Sequence, residues 1–284
     1  MGQEYAARLR RQALLPRILT ALIGIPLLLV LLWSGGLWWL GVMAAVLALA
    51  VVEFAPLCRL SPRGEFALRA AALLAFAGVA AAPAATTGWV IGVWALVLLT
   101  AGLGPLLRSG VAPSVGGGPS QAGRSQVGAV ILGIAYLATP FAVLVRWRLE
   151  ATPQSVLAFL VVIWANDIAA YFVGLAVGRH KLAPRVSPGK SWEGALGGLA
   201  GGLLAGVLLA SWLGVGRDDA AAWAVIVTAV SQAGDLLESA LKRRAGLKDS
   251  GRLLPGHGGV LDRFDGILTA APVGYILLRL LAIP

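Results

Sequence analysis

The chain has 284 residues, 58% of them hydrophobic and 13% charged, with a mean hydropathy of +0.84. Soluble domains carry roughly 25% charged residues, so this composition excludes an ordinary soluble protein and points to one that lies largely in lipid. The net charge of +10 sits in short segments between apolar runs, where it orients spans and meets anionic headgroups, which excludes nucleic acid as a partner.

A crossing takes about 20 mostly apolar residues, and apolar runs occur near 18–34, 37–52, 67–83, 88–107, 127–145, 155–178, 194–213, 221–237 and 267–283. The expectation is an all-α polytopic membrane protein of about nine transmembrane helices, with no large soluble domain. The first run follows Arg8, Arg10, Arg11 and Arg17 and lacks a small-residue cleavage site, so it reads as an uncleaved anchor. The lone Cys58 can form neither an internal disulfide nor a thiolate metal site; it reads as a hydrophobe at the membrane edge.

Placing the arginine-rich N-terminus in the cytoplasm puts 53–66, 108–126, 179–193 and 235–266 on the same side and the C-terminus opposite. Arg146 and Arg148 run against this pattern. The stretch 109–126, with Gly116 to Gly118, reads as a loop. The chain divides into an N-terminal membrane domain, 1–150, of about five spans, and a C-terminal catalytic membrane domain, 151–284, of about four spans with its site at the cytoplasmic edge.

Charge concentrates in 235–266, where Asp235, Glu238, Lys242, Arg243, Arg244, Lys248, Asp249, Arg252, Asp262, Arg263 and Asp265 fall together. A topogenic loop needs only Lys and Arg; interleaved carboxylates call for another reason, and a phosphate site with a divalent metal supplies one. Ser231, Asp235, Ser239 and Lys242 share one face if the eighth span runs helically to Arg243, which carries a polar stripe to the membrane boundary. Asp262 and Asp265 are three apart at the start of the ninth span, on one face, where they can share or bridge Mg²⁺. Between these helices Gly258 and Gly259 follow His257 in a glycine-rich turn whose amides can approach an anion; His257 reads equally as an acid or base and as a turn residue.

A second cluster starts inside the sixth span, where Asn166, Asp167 and Tyr171 interrupt an apolar helix and Gly174 and Gly178 follow. An intramembrane aspartate is costly and needs a cation, a metal or a proton path. The helix leads into Arg179, His180, Lys181 and Arg185, then Ser187, Pro188, Gly189, Lys190, Ser191, Trp192, Glu193 and Gly194, a segment suited to clamp an anion but lacking the full P-loop pattern.

The stretch SALKRRAGLKDSGRLLPGHGGVLDRFD, 239–265, resembles the signature of the phosphatidate cytidylyltransferase (CDP-diacylglycerol synthase) family: Ser, Lys-Arg, Lys-Asp, Pro-x-His-Gly-Gly and Asp-Arg-x-Asp at the family's spacing. Upstream, WANDIAAYFVGLAVGRHKLAPRVSPGKSWEG resembles its second block, with Ile168 and Ala169 where that block has Thr-Gly. The likeness is strong over 160–284; the first half shares hydropathy, an early basic segment and Glu53-Phe54. It implies an enzyme of the cell (inner) membrane, a homodimer, that joins CTP to phosphatidic acid with one or two Mg²⁺ and yields CDP-diacylglycerol and pyrophosphate.

On that resemblance Asp235, Asp262 and Asp265 are the metal ligands, with Asp249 a fourth candidate. Lys242, Arg243, Lys248 and Arg263 neutralise phosphates, and Ser239 bonds phosphate or metal. Asp167, Tyr171, Ser187, Lys190 and Glu193 form the opposite wall, with Lys190 on the lipid phosphate or pyrophosphate and His257, Gly258 and Gly259 near substrate. Two rivals are an ion-coupled transporter using Asp167 and Asp235 and a different CTP-using lipid phosphotransferase.

Overall fold

The computed structural model describes residues 22–82, 119–251, 253 and 258–281. The expected run at 88–107 and His257 lie outside them. In lipid a backbone must satisfy its own hydrogen bonds, and the described chain is accordingly helical: α1 (Leu22–Ser34), α2 (Gly36–Leu57), α3 (Pro62–Ala81), α4 (Pro119–Gly133), α5 (Thr139–Glu150), α6 (Pro153–Val177), α7 (Trp192–Leu208), α8 (Ala210–Leu213), α9 (Arg217–Ala245) and α10 (Leu261–Leu281). A π-helical turn, Ile134–Ala138, joins α4 to α5; Pro140, which has no N–H to donate, follows it.

Six helices among the described residues are long and apolar enough to span a bilayer, counting 126–150 as one, and α1 and α7 are shorter apolar helices. The chain is therefore a multi-pass α-helical membrane protein. The run 194–213 is not one continuous span: the helix breaks at Leu209 and a single turn, α8, ends at Gly214. The other run ends shift by a few residues, and α9 does run helically through Arg243. The segment after α6 is a short antiparallel hairpin, β1 (Lys181–Ala183) and β2 (Ser187–Ser191), with Lys181 opposite Ser191 and Ala183 opposite Ser187.

Local chemistry sets the helix ends. Ser61, Thr152 and Ser191 accept the amides of Gly64, Ser155 and Gly194 as N-caps, and Pro62 and Pro153 occupy first-turn positions where a missing N–H costs nothing. The glycines of α7 form a ridge, with Gly194, Gly198, Gly202 and Gly206 buried, that beds between α6 and α9. A Cβ at Gly198 would stand 2.8 Å from Gln232 Nε2, so the small residues of this helix serve packing inside the chain.

The core crosses the boundary at residue 150. Trp147 of α5 packs on Phe159, Trp223 and Tyr275 at ring separations of 4.9, 6.5 and 6.0 Å, and its indole donates to Ser155 Oγ. At this end of the bundle Arg148 donates to the terminal carbonyls of α1, Leu32 at 2.7 Å and Trp33 at 3.3 Å. Arg146 reaches Ala80 O and pairs with Glu150. The two arginines that break the topological charge pattern are thus held by helix-end carbonyls and a carboxylate.

Candidate functional site

The opposite end of the bundle gathers most of the residues singled out above. Along α9, Asp235 accepts from Ser239 Oγ at 3.4 Å and pairs with Lys190 Nζ of β2 at 2.5 Å. One turn deeper, Ser231 is buried against Gly266 of α10, leaving no room for a Cβ there. The expected stripe therefore begins as a packing seam and becomes a site from Asp235 onward. Lys242 lies between Glu238 Oε1 at 3.0 Å and Asp262 Oδ1 at 2.6 Å. Glu238 is fully buried, and its contact with Lys242 is an ion pair without hydrogen-bond geometry.

Asp262 organises the turn between α9 and α10. Besides Lys242, its carboxylate accepts the amides of Ser250, at 3.1 and 3.2 Å, and Gly259, at 2.9 Å. Gly258 sits at φ 80°, a conformation glycine adopts without strain. Lys248, Asp249 and Arg263 are exposed around this turn.

From α6, buried Asn166 donates to Asp167 Oδ1 at 2.9 Å and accepts from Gln232 Nε2 at 2.7 Å; Gln232 also donates to Ala195 O. This amide relay fixes Asp167 against α7 and α9. Tyr171, one turn after Asp167, is exposed and its ring stands edge-on to Phe172. Gly174 and Gly178 receive Ser191 of the hairpin, whose Oγ would lie 2.6 Å from a Cβ at Gly178.

The hairpin is latched twice. Arg243 donates to Val186 O at 3.2 Å and to Leu247 O at 3.1 Å, tying the hairpin turn and the turn after α9 together. Glu193 accepts the Arg179 and His180 amides and lies 2.6 Å from His180 Nδ1. The His180 side chain, with these amides, holds the Glu193 carboxyl down at about 2. Arg243 and Glu193 shape the clamp; Lys190 is the clamp side chain that reaches α9. Ser187 is half-buried at the start of β2.

Among the described residues no three carboxylate, histidine or cysteine groups stand at metal-ligand separations. The expected trio divides: Asp262 turns to Lys242 and the loop amides, whereas Asp265 interacts electrostatically with Asp235 and Asp167. These three come from α10, α9 and α6; their hard oxygen donors are of the type a divalent cation takes, but they do not stand at ligand separations from one another. Lys190 and Arg263 interact favourably with Asp167, and Lys242 with Asp265.

One residue outside the expected set belongs here. Glu53, near the end of α2, is 4% exposed and binds Ser250 Oγ and the amides of Val260 and Leu261. Its signals in the sequence are a carboxylate at the end of an apolar run and the Glu53-Phe54 pair shared with the family it resembles.

Residues 15–281 match the model of the cytidylyltransferase family. The chain is 52% identical over 124 residues to a phosphatidate cytidylyltransferase of Brucella suis biovar 1, covering 43% of this chain and 46% of that protein. It is 48% identical over 135 residues to the protein of that name in Pseudomonas aeruginosa, with the same coverage. To that of Mycobacterium leprae it is 44% identical over 128 residues, covering 44% of this chain and 41% of the relative. The matched segments thus span less than half the length of these curated relatives.

Proposed function

The chain belongs to the cytidylyltransferase family, and from that premise we propose that it transfers the cytidylyl group of CTP to phosphatidate, giving CDP-diacylglycerol and pyrophosphate in phospholipid biosynthesis. The observation that carries the reading is that Asp167, Asp235 and Asp265 interact electrostatically at one end of a membrane bundle, with Lys190 paired to Asp235 and Lys242 acting on Asp265. A lipid phosphate reaches a site only at headgroup depth, and a triphosphate needs acids for its metal and cations for its own charge.

In this mechanism a phosphatidate oxygen attacks the α-phosphorus of CTP, the new P–O bond forms in line, and the bond to the β-phosphate breaks with pyrophosphate leaving. The attacking oxygen is already anionic at neutral pH, so no protein nucleophile or strong base is required. Asp235 and Asp265, faced by Asp167, would hold Mg²⁺, which when bound neutralises the triphosphate and orients it. Lys242, fixed by Glu238 and Asp262, presents its charge without searching rotamers. Lys190, on the hairpin, exchanges Asp235 for the incoming lipid phosphate or the leaving pyrophosphate. Arg263 and Lys248, exposed at the turn, and Ser239, on Asp235, meet the phosphates; Asp249, Gly258 and Gly259 line the same turn.

We place the enzyme in the cell (inner) membrane with this end at the cytoplasm, where CTP is found, and expect a homodimer. The transporter reading leaves the lysines and the glycine turn without a task. Doubly labelled CTP separates the remaining alternatives: label from the α-phosphate is expected in a chloroform-soluble product, and label from the γ-phosphate in pyrophosphate. Release of CDP, with the γ-label in lipid, would instead identify a CTP-using lipid kinase.

A further inference from the structure

Glu53 is the one acidic residue of α2. Burying a carboxylate in a bilayer-spanning helix is costly unless its oxygens are satisfied, and at 4% exposure Glu53 meets that demand entirely across the chain. Oε2 accepts from Leu261 N at 2.8 Å and Ser250 Oγ at 3.1 Å, and Oε1 from Val260 N at 3.0 Å. These amides open α10, whose first turn has donors with no helical acceptor and carries the positive end of the helix dipole. Glu53 thus caps α10 from a helix more than 200 positions upstream.

The turn is built around this carboxylate. A Cβ at Gly259 would stand 2.5 Å from Glu53 Oε2, and one at Gly251 would stand 2.7 Å from Glu53 Cδ, so both positions need glycine. Ser250 joins two acids: its Oγ donates to Glu53 while its amide donates to Asp262. Asp262 in turn holds Lys242 at 2.6 Å. The order of contact runs from Glu53 to Ser250 and the start of α10, then to Asp262, then to Lys242.

We propose that Glu53 is a positioning residue of the transfer site: it fixes Ser250 and the start of α10, and through them Asp262 and Lys242, so that the N-terminal half completes the site. This rests on the transferase reading above. Glu53→Gln keeps size and removes one acceptor, leaving an NH₂ group against a backbone N–H or the Ser250 hydroxyl. A helper that acts through geometry rather than substrate contact should lower turnover and spare substrate binding.

The test uses the full chain in detergent, wild type against Glu53→Gln and Ser250→Ala, and reads CTP-dependent turnover together with amide hydrogen exchange. Expected for Glu53→Gln are exchange about tenfold faster or more in the peptide spanning 258–262 and kcat lowered about tenfold or more, with KM for CTP within about twofold. Peptides from α6 and α7 should exchange as in wild type. Ser250→Ala, which leaves both α10 amides bonded, should show the same pattern at smaller size, and it carries the test if Glu53→Gln does not fold. Wild-type kcat or wild-type exchange at 258–262 in the folded variant overturns the proposal. If the wild-type protein transfers no cytidylyl group, the function reading fails, and the exchange result still decides whether Glu53 orders the turn.

Discussion

The two ends of the helix bundle handle charge in opposite ways. At the end marked by Glu150, one carboxylate takes Arg146, Arg279 at 3.0 Å and the Tyr275 hydroxyl, and Arg148 closes α1. That carboxylate is matched by two cations, and the aromatic cluster around Trp147 lies beneath. At the other end Asp167, Asp235 and Asp265 repel one another electrostatically, Asp235 shares Lys190, and fully buried Glu238 has an ion pair but no hydrogen bond. Charge matched around one carboxylate builds a structure; like charges brought together among cations and held in place by packing are suited to bind a charged ligand.

Four substitutions sharpen or break that contrast. Asp265→Asn should have the largest effect, a loss of turnover on the order of 10³-fold, with a thermal midpoint equal to or above wild type because a repelling charge is gone. A large fall in midpoint would mean that the carboxylate cluster is structural, like the far end. Lys242→Met strands Glu238 and Asp262, whose side chains are 0% and 7% exposed, and should cost about 3–5 kcal/mol in unfolding as well as activity. A stable, inactive variant would separate the lysine's chemistry from its pairing.

Glu150→Gln tests the matched end. The site is partly exposed, so about 1 kcal/mol of stability is expected, with turnover within about twofold of wild type. Loss of turnover there would show that the two ends are coupled. The smallest effect is a pH dependence at the hairpin. The folded Glu193 carboxyl lies at about 2, below its ordinary value of 4.5, so its stabilising contribution is complete above pH 4.5 and fades as the pH falls toward 2. The difference in thermal midpoint between wild type and Glu193→Gln should be constant above that window and shrink within it; an undiminished difference at its lower end would remove the latch.

What could be read from the sequence depends on the range of the interaction. Apolar runs report on lipid contact residue by residue, so α2, α3, α6, α9 and α10 are legible with ends a few residues off. The polar stripe of α9 and the adjacent Asp262 and Asp265 are legible because helical period alone places them. The break at Leu209 leaves no local mark in an apolar run. The division of the expected metal trio, and the capping of α10 by Glu53, depend on amides of a distant turn, and no spacing rule connects residue 53 to residue 260.

The central claim is that the charge-rich end of this membrane protein joins a nucleotide to a lipid phosphate. Its most direct test is incorporation of α-labelled CTP into lipid by the purified protein, with and without phosphatidate and Mg²⁺, beside Asp265→Asn and Glu150→Gln. The account predicts lipid-linked label that requires phosphatidate, Mg²⁺ and Asp265 and survives Glu150→Gln. Label that persists in Asp265→Asn, or no label from folded wild-type protein supplied with all three components, would contradict it.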